Sequence, residues 1–263
     1  MKSGGMVLVS QLRNVLRSRW ILGYALLLLG LTSLLLRFGG TGERAILSLL
    51  NVVLLLLPLV SVVFGTLYVY NAREFIEMLL AQPVGRGALY AGLFGGLAIP
   101  LCAAFLVGVG GPLVLQGGGT PGYVAQLTTL LGCGVLLTLV YTAFALCVAV
   151  LVEDRAWGLG LALVVWLLTT MVYDGVVLLV ATSFAAWPLE GPLLVLSFLN
   201  PVDLARILLL MQLDISALMG YTGAVYERFF TAGVGAVLAT MMLLVCAFVP
   251  LGLGYRWFKR KDF

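Results

Sequence analysis

The sequence predicts an all-α integral membrane protein of six transmembrane helices, and three observations carry that expectation. Of 263 residues, 62% are hydrophobic and only 10% charged, where a soluble domain carries about 25% charged residues. Between Arg86 and Glu153 lie 66 consecutive residues without Asp, Glu, Lys or Arg. Shorter uncharged runs occupy 20–36, 45–72, 229–255 and, apart from Asp174, 156–189. A chain so poor in polar surface finds its solvent in lipid, where each helix satisfies its own backbone hydrogen bonds.

Each element follows from length and punctuation. A span needs about 20 apolar residues, so the long run holds two spans, with Gln116-Gly-Gly-Gly-Thr-Pro-Gly122 as the turn between them. The spans are expected at 20–36, 45–69, 88–115, 123–151, 156–186 and 230–255. The first is read as a retained span and not a signal peptide, because Arg37 follows it directly with no small-residue cleavage site. Six crossings put the N-terminus, the 2–3 loop, the 4–5 loop and the C-terminus on one side. That side holds Lys2, Arg13, Arg17, Arg19, Arg73, Arg86, Arg155, Arg256, Lys259, Arg260 and Lys261, 11 of the 15 basic residues; Arg37, Arg44, Arg206 and Arg228 are on the other. The positive-inside rule assigns both termini to the cytoplasm. The net charge of +4 sits mostly at the two termini, where anionic headgroups attract it, and it calls for no nucleic acid.

Three segments outside the spans carry pattern. In 6–19, Val9, Leu12 and Leu16 lead to Trp20 at three- and four-residue steps, with Arg13 and Arg17 to one side. This predicts an interfacial amphipathic helix. In the loop 71–87, Ala72-Arg-Glu-Phe-Ile-Glu-Met-Leu-Leu-Ala-Gln82 predicts about three helical turns. Phe75, Met78 and Leu79 form its apolar stripe and Glu74 and Glu77 sit near its N-terminus, where the dipole favours acids. Pro83 stops it and Gly85-Arg-Gly87 gives a flexible exit. An apolar face with an acidic start fits a protein partner better than an anionic leaflet. The third segment, 189–228, is too short in apolar runs to span. Asn200-Pro201 opens a turn there, Asp203 favours the following helix start, and Arg206 follows. Short re-entrant helices capping the extracytoplasmic mouth are expected, packed on protein.

The chemistry excluded is as informative. The chain has no histidine, which removes Ser-His catalysis and imidazole-ligated metals. Cys102, Cys133, Cys147 and Cys246 all fall in spans without a CxxC pair, so neither a zinc site nor a redox motif is indicated. Five methionines, Met171, Met211, Met219, Met241 and Met242, form no cluster of thioether ligands. No GxxxxGK motif exists, so any ATP-driven work needs a second subunit; no cofactor or metal is expected on this chain. Asp174 is the one ionisable residue within a span, costing about 3 kcal/mol unless relieved. Tyr173 or protonation is the expected relief, and a polar spot in a pathway or a helix lock is the expected use. Gly92-Leu-Phe-Gly-Gly96 and Gly158-Leu-Gly160 allow close helix contact.

This order of parts resembles the membrane subunit of a type-2 ABC exporter. In that family the 2–3 loop helix is a coupling helix resting on the ATPase. The resemblance thus implies a single permease domain over 1–263, with coupling residues at Glu74, Glu77, Leu79, Leu80, Pro83 and Arg86. Within the family, Gly65–Glu77 running into Leu79–Pro83, Leu199–Ile207 and the basic Tyr255–Lys261 tail are similar to permeases serving copper-site maturation of nitrous oxide reductase. The implied partners are a cytoplasmic ABC ATPase carrying ATP and Mg, a second copy of this chain, a periplasmic β-helical protein, and the bilayer of a bacterial inner membrane. A drug, lipid or polysaccharide exporter on the same scaffold and an ATPase-free secondary transporter remain as alternatives. The secondary transporter would need more intramembrane charge and a pair of broken helices.

Overall fold

The computed structural model describes residues 19–38, 43–80, 85–116, 121–183, 190–212 and 234–260, and every regular element among them is helical. Six helices are long and apolar enough to cross a membrane: Arg19–Phe38, Ile46–Asn71, Arg86–Leu115, Gly122–Leu151, Arg155–Ser183 and Gly235–Arg260. The protein is therefore an all-α, multi-pass membrane protein, as its uncharged runs predict. The expected interfacial helix over 6–19 lies outside the described residues except for Arg19; so do Pro83 and the 213–228 half of the expected cap.

We name the elements α1 (Arg19–Phe38), α2 (Glu43–Asn71), α3 (Arg73–Leu80), α4 (Arg86–Phe105) and α5 (Gly111–Gln116). They continue as α6 (Pro121–Leu151), α7 (Arg155–Leu167), α8 (Tyr173–Ser183), α9 (Glu190–Leu199), α10 (Pro201–Gln212) and α11 (Val234–Arg260). The third span runs from α4 to α5 through a π-helical turn, Leu106–Gly110, and the fifth from α7 to α8 through another, Leu168–Val172. The sixth span ends five residues later than expected. The basic tail stays helical because Phe258, only 1% exposed, anchors it against Tyr90 at 5.4 Å between ring centroids.

Helix α6 is the axis of the molecule. Leu130, Leu137, Val140, Tyr141, Ala143, Ala145 and Leu146 are fully buried along it, with α2, α10 and α11 packed around. Close approach is bought with small residues. A Cβ at Gly65 of α2 would overlap the Ala145 methyl of α6, and one at Gly134 would enter the Phe105 ring. At Gly108, in the first π turn, a Cβ would stand 2.7 Å from the Leu28 Cβ and 3.0 Å from the Ala25 oxygen of α1. Several threonine hydroxyls in the spans bond back to their own helix: Thr66 to Val62 O at 2.7 Å, Thr138 to Gly134 O at 2.8 Å, Thr142 to Thr138 O at 2.6 Å. That pairing lets them sit in lipid or core without an open donor. The fifth span is the opposite of α6. Only 6% of an apolar 18-residue stretch of it is buried within the chain, against 72% for the fourth, and Trp157, Leu161, Leu163, Val164, Leu178 and Leu179 face outward.

Candidate functional site

Two regions bring the expected residues together, one at each end of the bundle. At the end rich in Lys and Arg, α3 forms the short helix expected between the second and third spans. Its entry is a continuous turn, with Ile76 N donating to Ala72 O at 2.9 Å, and Glu74 lies in its first turn. The sequence contains two overlapping stripes, Phe75/Met78/Leu79 and Ile76/Leu79/Leu80. The fold selects the second: Ile76 is 1% exposed, and Leu79 and Leu80 pack half-buried against Val69, Tyr70, Leu89, Tyr90 and Phe258. The expected stripe is thereby corrected, since Met78 is exposed and shares the outer face with Glu74 and Glu77. The selection has a simple cause. Residues three and four apart lie on one helix face, and among the described residues it is the Ile76 face that meets an apolar surface of the same chain.

The exit of the loop also differs from expectation. Gly85 is the extended N-cap of α4, with φ −65° and ψ 129°, so Arg86 and Gly87 are helical and not a flexible tether. Arg86 Nη1 donates to Lys259 O at 2.7 Å, near the C-terminus of α11. Gly87 leaves room for the Tyr255 hydroxyl, which a Cβ would meet at 3.1 Å.

Arg73 binds the end of the fourth span through several contacts. It donates to Glu153 O at 2.6 Å, Val152 O at 2.8 Å and Ala149 O at 3.3 Å. The last carbonyls of a helix have no partner within it and carry partial negative charge, so a guanidinium there caps α6. Its Cζ lies 4.5 Å from the centroid of the Tyr70 ring, and Tyr70 Oη donates to Val152 O at 3.0 Å. Asp154 then starts the fifth span, its Oδ1 accepting from Trp157 N at 2.9 Å. The signal for Arg73 was present in the sequence only as a basic residue at the end of a span, which reads first as a topology marker.

At the opposite end, α10 begins with Asn200 as N-cap and Pro201 at the first helical position, where a missing N–H costs nothing. Asn200 is buried and does two jobs. Its Oδ1 accepts from Val202 N at 3.1 Å, while its Nδ2 donates to Thr169 O at 2.8 Å, a carbonyl in the π turn of the fifth span. Thr169 Oγ1 pairs in turn with Tyr141 Oη of α6 at 2.6 Å. Arg206 joins Asp174 of α8 at 2.7 Å and Asp203 at 3.4 Å. Among the described residues the ionic partner of Asp174 is thus Arg206, while the Tyr173 hydroxyl donates to Leu196 O of α9. Burial pushes the Asp203 carboxyl up, to about 7, with Asp174 adding to the shift and Arg206 opposing it.

These contacts fasten α10 to the fourth and fifth spans. They assemble no nucleophile–base pair, and among the described residues no group of three or more His, Cys, Asp and Glu is placed to hold a metal. α10 itself is almost wholly buried from Pro201 to Leu210; its 12 residues extend about 18 Å, too short to cross a bilayer.

Comparison with known proteins agrees with this architecture. The family model described as ABC-2 family transporter protein matches residues 7–263. A probable ABC transporter permease protein NosY of Pseudomonas aeruginosa is 26% identical, the alignment covering 95% of this chain and 96% of the relative. A second, from Stutzerimonas stutzeri, is 28% identical with the same coverage of both chains. The six spans, the short helix between the second and third, and a family match over nearly all its length make this chain a member of the ABC-2 transporter family, a multi-pass permease subunit similar to NosY.

Proposed function

We propose that the chain works as a homodimeric permease in a bacterial cytoplasmic membrane, with both termini in the cytoplasm, and that α3 docks it on a separate cytoplasmic ATPase. ATP and Mg belong to that partner, and this chain contributes no catalytic group. The observation that carries the reading is the two-sided character of α3. Its inner face is fixed in the chain's own core through Ile76, Leu79 and Leu80, while Glu74, Glu77 and Met78 are presented outward. The basic end suits the cytoplasmic face, because Arg19, Arg73, Arg86, Arg155, Arg256, Lys259 and Arg260 gather there. Trp20, Trp157 and Trp257 are exposed near the same ends of their spans, where amphipathic rings sit at headgroup level.

The docking residues expected from sequence then divide by role. Glu74 and Glu77 meet the partner; Leu79 and Leu80 seat the helix; Arg86 ties the loop to α11. The similarity to NosY permeases supports a place in copper-site maturation of nitrous oxide reductase, with a periplasmic β-helical protein as a further partner. The work done is export of a copper or sulfur species, or force passed to that periplasmic protein through α10.

Glu74→Lys/Glu77→Lys tests the docking. Purified by tag in mild detergent, the wild-type chain is expected to bring a stoichiometric ATPase identifiable by mass spectrometry. The double variant is expected to retain about tenfold less, a loss of about 1.4 kcal/mol, with normal insertion. Equal recovery of the ATPase with both chains would remove α3 from the interface.

A further inference from the structure

The second and third spans are joined to α3 by the chain itself, but the fifth is not, and it is the least packed of the six. The contacts of Arg73 bridge that gap. Its guanidinium holds three carbonyls around the end of α6, at 3.3 Å on Ala149, 2.8 Å on Val152 and 2.6 Å on Glu153, the last one residue before the Asp154 cap of the fifth span. Tyr70 backs it from below at 4.5 Å and reaches the same Val152 carbonyl. The Tyr70 hydroxyl also lies directly against Gly158, where any Cβ would collide with it. A residue at the start of α3 and its stacked neighbour therefore touch the end of the fourth span, the 152–154 turn and the first turn of the fifth. Arg86 makes a comparable connection to α11, through Lys259 O.

We propose that Arg73 is a positioning residue that ties α3 to the turn between the fourth and fifth spans, so that displacement of α3 is passed to the start of the fifth span. The inference rests on α3 being the docking helix. A planar fork with several fixed donors suits this task, since it spans carbonyls that a single ammonium cannot reach together. The fifth span is a suitable receiver. Little of it is held by the rest of this chain, its π turn at Leu168–Val172 is a local departure from the α-helical ladder, and its outer half is fastened to α10 through Asp174 and Arg206.

The test is hydrogen–deuterium exchange on the permease purified with its ATPase, without nucleotide and with ATP and vanadate. In the wild type, nucleotide is expected to change exchange in peptides covering 73–80 and 152–160 together. In Arg73→Ala the change at 73–80 should remain and the change at 152–160 should be lost, with the ATPase still bound. Arg73→Lys should fall between, and Arg86→Gln should spare 152–160 while altering 251–260. If Arg73→Ala folds poorly, the Arg73→Lys and Arg86→Gln pair carries the comparison. A nucleotide response at 152–160 that is undiminished in the Arg73 variants overturns the inference alone. A wild type with no response at 73–80 overturns the docking reading and this inference with it.

Discussion

Arg206→Met is expected to cost about 2 kcal/mol of stability at pH 8 and clearly less at pH 5.5. Arg206 serves two carboxylates of unequal exposure. The Asp203 side chain is 10% exposed and that of Asp174 41%, so after the substitution Asp174 turns to water while Asp203 is left charged in the interior. Breaking a fully buried pair costs about 3–5 kcal/mol; here Arg206 is itself 31% exposed, which lowers the figure. The pH dependence follows from Asp203. Burial raises its folded value to about 7, above the unfolded value of about 3.9. Such a carboxyl contributes its full stability below the unfolded value and loses it as pH rises through the folded one. Removing the guanidinium raises the folded value further, so the penalty appears above neutrality and fades where Asp203 holds its proton.

Thermal unfolding in detergent at the two pH values reads this directly. Asp203→Asn added to Arg206→Met should restore most of the loss at pH 8, because it removes the stranded charge. Asp174→Asn should be milder, since the 3.4 Å contact between Arg206 and Asp203 survives it. An equal loss for Arg206→Met at both pH values would mean that packing of the arginine stem, and not the charge of Asp203, sets the cost.

The contrast between what was legible and what was not has a physical pattern. Spans were legible because lipid imposes a length and a composition on each segment independently. The boundaries that shifted, Arg86 and the Tyr255–Arg260 tail, lie where tertiary contacts extend a helix beyond its apolar run. On α3, the existence of a helix between Asn71 and Pro83 was readable from local pattern, but its rotation was not. Two stripes compete in the same eight residues, and the choice depends on Tyr90 and Phe258, which are remote in sequence. Asp174 stood out as an isolated charge, yet its partner Arg206 comes 32 residues later, on a helix whose burial no local signal reveals. Arg73 was the hardest to see. A positively charged residue beside a span is expected on topological grounds, so the three carbonyls it holds had no separate signature.

Gly65→Leu is expected to prevent the bundle from forming in its native arrangement. The second and fourth spans cross at Gly65 and Ala145, and even a methyl on residue 65 would overlap the Ala145 Cβ, with Leu97 Cδ2 3.4 Å away on the third span. Neither side can yield cheaply. The Ala145 methyl is fixed to the backbone of the most buried of the six spans, and a longer side chain would force the two helices apart along their whole contact. Overpacking a core by a few methylenes costs about 1–3 kcal/mol where side chains can shift; between two rigid backbones the cost lies at or beyond the upper end. Gly23→Leu on α1 is the matched control, since a Cβ there meets nothing within 4 Å, and it should stay within about 0.5 kcal/mol of the wild type. Size-exclusion profiles and melting temperatures of the purified chains separate the two. The decisive comparison is Gly65→Ala, which should lower the melting temperature by several degrees, against Gly65→Ala/Ala145→Gly, which moves one methyl from one side of the crossing to the other. Recovery in the double variant would locate the cost in the 65–145 contact itself. A double variant that melts below Gly65→Ala would show instead that the intrinsic cost of glycine in α6, about 1 kcal/mol, outweighs the relief of overlap.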